Sequence, residues 1–372
     1  MFVFLVFNDK IYLVENDIKR FDSSINFKRR KTIVSFIFLI VAIFIFFIIS
    51  LCVGSSNISF IDSLKALFKI GNQDYINIIY KIRLPRTLGA IVVGASLSLS
   101  GLLMQKVLKN ELASPSTLGI SNAASFGANI GIMVLSGTGL SSLGNFYLTS
   151  KNPYLVSIFA LIFSFICLGL VLLLSSFAKF KPTVVILLGI AFSNFFLALT
   201  TLLQYFADDV SLSAVTNWSF GNLERLNYTQ IIIIGIIAIF SLIVSESLSY
   251  KYNALEAGEN LAKTMGIKTK SLRFISLLLA SLMTAVSVCF CGIIGFIGII
   301  APQSIKRIIK NDMKLLIPSS FLGRALLLLI CDIFTRLIGN GTSLPVGAIT
   351  ALIGVPFFVI ILLTKKEKIK WY

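Results

Sequence analysis

Uncharged runs long enough to cross a bilayer recur along this chain, and they constrain its fold more than any single motif. A spanning helix needs roughly 20 predominantly apolar residues. The first run extends from Thr32 to Gly54, behind Arg29, Arg30 and Lys31. Leu84–Gln105 follows, interrupted only by Arg86 near its start. Leu112–Ser150 holds no charge; Ile120–Leu135 is helical in character, and Gly137–Asn145, rich in Gly and Ser, reads as a loop. Pro153–Ala178, Pro182–Phe206 and Tyr228–Ser245 come next. Phe274–Ile305 is too long for one helix, and Gly292, Gly295 and Gly298 divide it into two short spans. Leu315–Ile338 carries Arg324, Asp332 and Arg336, and Leu344–Thr364 is the last run. The expected fold is all-α, a polytopic membrane protein of about ten transmembrane helices.

Composition agrees. Charged residues are 13% of the chain and hydrophobic ones 56%, whereas soluble domains average about 25% charged. Hydrocarbon must therefore be the solvent over most of the length. The net charge of +17 does not indicate nucleic acid, because a basic soluble binder would not be this apolar. It is an orientation signal at the membrane edges. With the amino terminus inside, ten spans place Lys19–Lys31, Lys106, Lys109, Lys179, Lys181, Lys251–Arg273, Lys306–Lys314 and Lys365–Lys370 on the cytoplasmic side. One loop breaks the rule: the first outer loop holds Lys65, Lys69, Lys81 and Arg83, followed by Arg86.

Several chemistries are disfavoured. Histidine is absent, which removes the commonest general base and metal ligand. The five cysteines lie in apolar runs, and Cys289 and Cys291 lack the spacing of a zinc or redox pair. No phosphate-cradling G-x-x-x-x-G-K-[ST] loop occurs. A membrane enzyme would need paired carboxylates or a nucleophile–base set inside the spans, and none is visible; Asp208 and Asp209 read as solvated loop residues. An ion-coupled secondary carrier would show repeats with ion-binding side chains at mid-membrane. Here only Arg324, Asp332 and Arg336 form such a set, and Asp332 and Arg336, four apart, read as a local ion pair. No cofactor is expected.

Between the sixth and seventh spans, Asn253–Lys268 has helical periodicity. Leu255, Gly258, Ala262 and Met265 share a face, Leu261 lies beside them, and Gly266 is placed to stop the helix. Two readings stay open: a helix lying on the lipid surface, or one that enters a protein groove. The small residues on that face suit close approach to protein better than immersion in lipid.

A family resemblance rests on several stretches. Arg83-Leu-Pro-Arg-Thr-Leu88 resembles the opening of the second span of the FecCD permeases, the importers of iron-siderophores, haem and vitamin B12. Gly94–Gln105 and Lys109–Ile120 continue it in order, Leu187–Ser193 is similar to the family's fifth span, and Gly258–Gly266 resembles its cytoplasmic coupling loop. Gly295–Pro302 and Leu344–Phe357 complete a likeness covering about residues 32–366. Gln303 stands where the family usually has histidine, and Gly292-Ile293 replaces a usual Gly-Pro.

The resemblance implies a type II ABC importer fold like that of the vitamin B12 permease. It implies a ten-helix domain over 32–366 with a coupling loop at about 251–270. A cytoplasmic extension of 1–31 and a tail of 367–372 would flank it. The chain would sit in the bacterial inner or plasma membrane with both termini cytoplasmic. Its partners would be a second permease subunit, making a homodimer, two separate ABC ATPase subunits, an extracytoplasmic solute-binding protein and membrane lipid, with no nucleic acid. The chain itself would not be an enzyme. Transport would be alternating access carrying a ferric-siderophore-type complex, with haem or cobalamin as the alternative cargo. The resemblance further implies that Leu255, Gly258, Leu261, Ala262, Met265 and Gly266 contact the ATPase, and that Arg83, Arg86 and Arg336 receive carboxylates of the docking binding protein.

Overall fold

The computed structural model describes residues 33–54, 56, 58–136, 153–295, 312–339 and 344–363. Among them every regular element is a helix. In chain order these are α1 (Ile33–Cys52), α2 (Phe60–Leu67), α3 (Gln73–Ile78), α4 (Leu84–Leu108), α5 (Ile120–Ser136), α6 (Pro153–Phe177) and α7 (Pro182–Tyr205). They continue as α8 (Asp209–Ser219), α9 (Tyr228–Ser247), α10 (Ser249–Ala257), α11 (Glu259–Thr264), α12 (Thr269–Cys291), α13 (Met313–Ile338) and α14 (Val346–Leu363). A π-helical turn, Ile79–Arg83, joins α3 to α4 without a break.

Six of the described helical runs are long and apolar enough to cross a membrane: α1, α3 through α4, α6, α7, α9 and α12. The 17-residue α5, the charge-bearing α13 and the apolar α14 fall on three more of the expected spans. The extension 1–31, the loop 137–145, the tail 367–372 and most of the expected eighth span, from 296 on, lie outside the described residues. One boundary is corrected. α12 begins at Thr269 rather than Phe274 and is a full 23 residues, not a short span. Arg273, whose charge marks an edge in the sequence, is buried inside the helix by partners described below. The helix ends where expected, since Gly292 adopts φ +74° and its amide bonds back to Val288 O at 2.8 Å.

Three short helices are started by side-chain caps. Ser59 accepts from Ile61 N, Asn72 from Asp74 N, and Asp208 from Ser211 N. Asp208, read from sequence as merely solvated, is thus the start signal of α8. A capping box between Asn227 and Gln230 opens α9.

α4 is the central post, packed by α13, α12 and α9. Its small residues let the neighbours approach. A Cβ on Gly94 would sit 2.7 Å from Arg324 O of α13. Ser100 Oγ donates to Ala280 O of α12 at 2.7 Å and Ser98 Oγ to Ser320 O of α13 at 2.5 Å. The same device joins α5 to α6, where a Cβ on Gly127 would meet Phe159 O at 2.3 Å. Close backbone approach sealed by hydroxyls is the packing expected where lipid removes any hydrophobic drive between helices.

Candidate coupling and docking surfaces

At one end of the bundle the sequence-predicted docking arginines do come together, but they face inward. Arg83 is 3% exposed and Arg86 4%. Arg83 Nη1 donates to Leu51 O at 2.8 Å and Cys52 O at 2.9 Å, while Nη2 reaches Ser56 O and Oγ. Arg336, 7% exposed at the side chain, donates through Nη1 to Ser50 O at 2.8 Å and Val53 O at 3.2 Å. Together the two arginines cap the last carbonyls of α1, which have no helical partners of their own. Arg86 joins three elements. Its Nε donates to Asp332 Oδ1 at 2.7 Å, its Nη2 to Thr335 Oγ1 at 2.9 Å, and its Nη1 pairs with Glu224.

Asp332 is fully buried and also accepts from Arg336 at 2.5 Å, the i,i+4 pair legible in the sequence. Within the chain these side chains fasten α1, α4, α13 and the Leu223–Arg225 turn to one another. Glu224, 38% exposed, is the open edge of the cluster. It was missed because nothing in local spacing links position 224 to position 86.

Beside this cluster a crevice of about 870 Å³ opens between α5, α6, α8 and α9. Val156, Trp218 and Phe290 supply apolar wall, while Asp209, Asn217 and Arg225 supply polar groups. Arg225 Nη2 donates to Asn217 O at 3.1 Å.

The opposite end holds the expected coupling segment, and here the sequence reading is partly corrected. Asn253–Lys268 is not one helix. Gly258, at φ +151°, separates α10 from α11, a conformation costly for any residue with a side chain. The expected common face is consequently split. Leu255 and Ala262 are buried at 1% and 0%, whereas Leu261 and Met265 are exposed at 49% and 61%. Gly266, at φ +76°, does stop α11.

Polar contacts anchor the segment. Tyr252 Oη pairs with Ser276 Oγ at 2.8 Å, and burial pushes the phenol up to about 12. Asn253 accepts from Met313 N and donates to Asp312 Oδ1 at 3.0 Å. Lys106 Nζ meets Glu256 at 2.5 Å, and Arg273 Nη2 meets Glu259 at 2.8 Å. The hydrogen bond from Arg273 holds the Glu259 carboxyl down at about 2; burial opposes the shift and Lys263, 3.1 Å away, adds to it. Among the described residues no cluster of His, Cys, Asp and Glu could hold a metal ion, and all five cysteines are free.

The described chain is thus an apolar helical bundle with long membrane-length helices, a polar clasp at one end and a short-helix segment at the other. Comparison with known proteins agrees: the FecCD transport family matches residues 41–364, and the chain belongs to that family of ABC-importer permeases. It is 42% identical to a protein named as an ABC transporter permease, MJ0087 of Methanocaldococcus jannaschii, over 91% of this chain and 97% of that one. It is 31% identical to the Fe(3+)-citrate import system permease protein YfmD of Bacillus subtilis, over 89% and 96% respectively. Its fold is similar to a solved metal-chelate type ABC transporter in an inward-facing conformation, with a TM-score of 0.75, 27% identity, and coverage of 90% of this chain and 99% of the other.

Proposed function

We propose that this chain is the permease of an importer for a ferric-siderophore-type iron complex, working as a homodimer with two ATPase subunits and an extracytoplasmic binding protein. The observation that supports the iron cargo is the likeness, over most of both chains, to a permease named for Fe(3+)-citrate import. On this reading the protein sits in the cell membrane with both termini cytoplasmic, its ten-helix domain spanning 32–366. The arginine clasp lies outside and α10–α11 inside, where Leu261 and Met265 enter the ATPase groove while Leu255, Gly258, Ala262 and Gly266 shape the segment. Transport is alternating access, in which the ATPases bias one of two arrangements of the same bundle.

The binding protein docks at the clasp, and its carboxylate reaches Arg86 by displacing Glu224, the exposed leg. Arg83 and Arg336 hold α1 in place during that exchange. Glu224→Gln should then tighten docking and Arg86→Gln should weaken it, both measured by surface-immobilised permease; the reverse order, or no change in either, removes Arg86 from the docking site.

The cargo is tested by uptake into vesicles carrying the reconstituted complex. Radio-labelled ferric siderophores should accumulate with ATP and compete poorly with haemin or cobalamin. Accumulation of haemin or cobalamin in their place would overturn the iron-siderophore reading.

A further inference from the structure

Adjacent residues at the end of α4 hold opposite sides of the Gly258 break. Lys106 pairs with Glu256 on α10, before the break. Val107 O accepts from Arg273 Nε at 3.3 Å, and the same guanidinium donates through Nη2 to Glu259, the first residue of α11 after the break. Val107 O is one of the terminal carbonyls that α4 cannot satisfy itself. The Arg273 side chain is 3% exposed, so its charge is sequestered with these two partners.

We infer that Arg273 is a positioning residue that locks α11 to α4, so that a push on Leu261 and Met265 moves the central post rather than bending the chain at Gly258. The geometry requires an arginine. One planar fork engages a carbonyl and a carboxylate at once, which a lysine's point charge does not. Without the lock, α11 is a 6-residue helix joined to α10 through a glycine, too short to hold its own direction. Its displacement would be absorbed at the break. With the lock, displacement reaches α4, whose other end carries Arg86 and therefore Asp332 and Glu224. The inference rests on the ATP-driven permease reading.

The test uses the full complex in vesicles, measuring substrate transport and ATP hydrolysis in the same preparation. Arg273→Lys and Glu259→Gln should lower transport per ATP by about tenfold or more, within the range of measured site-to-site couplings, while assembly with the ATPase and hydrolysis persist. Lys263→Ala, which removes only the exposed contact to Glu259, should leave the ratio unchanged. A second measurement does not depend on activity: hydrogen exchange of residues 259–266 in Arg273→Lys should accelerate without acceleration in α4 or α12. Unchanged transport per ATP in both variants, or unchanged exchange in 259–266, would overturn the lock. If the unmodified complex neither binds an ATPase nor transports with ATP, the permease reading fails instead, and the exchange measurement still decides the contact.

Discussion

α1 and α4 are both apolar spans, yet they solve opposite problems. In α1 only 6% of the spanning stretch is buried in the chain, and Val34, Phe38 and Phe44 stand exposed. In the α3–α4 run 83% is buried, and Gly94, Ser96, Ser98, Ser100 and Gly101 are interleaved with its buried Leu, Val and Ala. The more hydrophobic helix is thus the outer one. In water the order would be the reverse, but lipid is as apolar as leucine, so large apolar side chains gain nothing by turning inward. What lipid cannot supply is a hydrogen-bond partner or a close backbone contact, and those gather around α4.

This contrast can be broken in order of expected effect. Arg86→Met should be the most damaging change, because it leaves buried Asp332 with half its compensation; breaking such a pair costs about 3–5 kcal/mol. A large fall in the detergent unfolding midpoint is expected, and a fall no larger than that of an α1 variant would end the distinction. Gly127→Leu should follow, since its Cβ would strike the Phe159 carbonyl of α6; overpacking of this kind costs about 1–3 kcal/mol or more. Ser100→Ala removes the hydroxyl that bonds both Ala280 O and Thr284 Oγ1 of α12; about 0.6 kcal/mol is typical for each such interhelical bond. Phe38→Leu on α1 should fall within about 0.5 kcal/mol of zero, as at other sites without buried partners.

The smallest effect is expected from pH at the coupling end. The Glu259 carboxyl titrates at about 2 in the folded chain and near 4.3 unfolded. Its contribution is therefore complete above about 4.3 and is lost as pH falls toward 2. Exchange protection of α11 attributable to this carboxyl should be flat between about pH 8 and 5, and loss of protection near neutrality would show that Arg273 does not hold it.

The spans were legible because lipid imposes length and polarity on each separately: the start of α7 at Pro182 and the end of α12 at Gly292 follow from local residues alone. The short helices were hidden although their caps, Ser59, Asn72 and Asp208, stand in the sequence, because these residues sit among charges and polar groups that also read as loop. The coupling segment misled for a different reason. Its periodicity runs smoothly across Gly258, and only the positive φ there reveals that two helices face different ways. The three arginines gather at the end of the bundle away from α10–α11, and their direction depends on Ser50, Glu224 and Asp332, which no window around position 83 contains.

The Arg86–Asp332 pair also dictates an order of assembly. Its members are 246 residues apart. At ordinary synthesis rates, on the order of ten to fifty seconds separate their emergence from the ribosome. Glu224, 138 residues on from Arg86, emerges first and can meet one arm of the guanidinium, while Nε still lacks its buried acceptor and must reach toward the headgroups. α4 gains its fully buried partner only once α13 delivers that carboxylate. A ribosome stalled before residue 332 therefore leaves Arg86 with only its more exposed partner, Glu224.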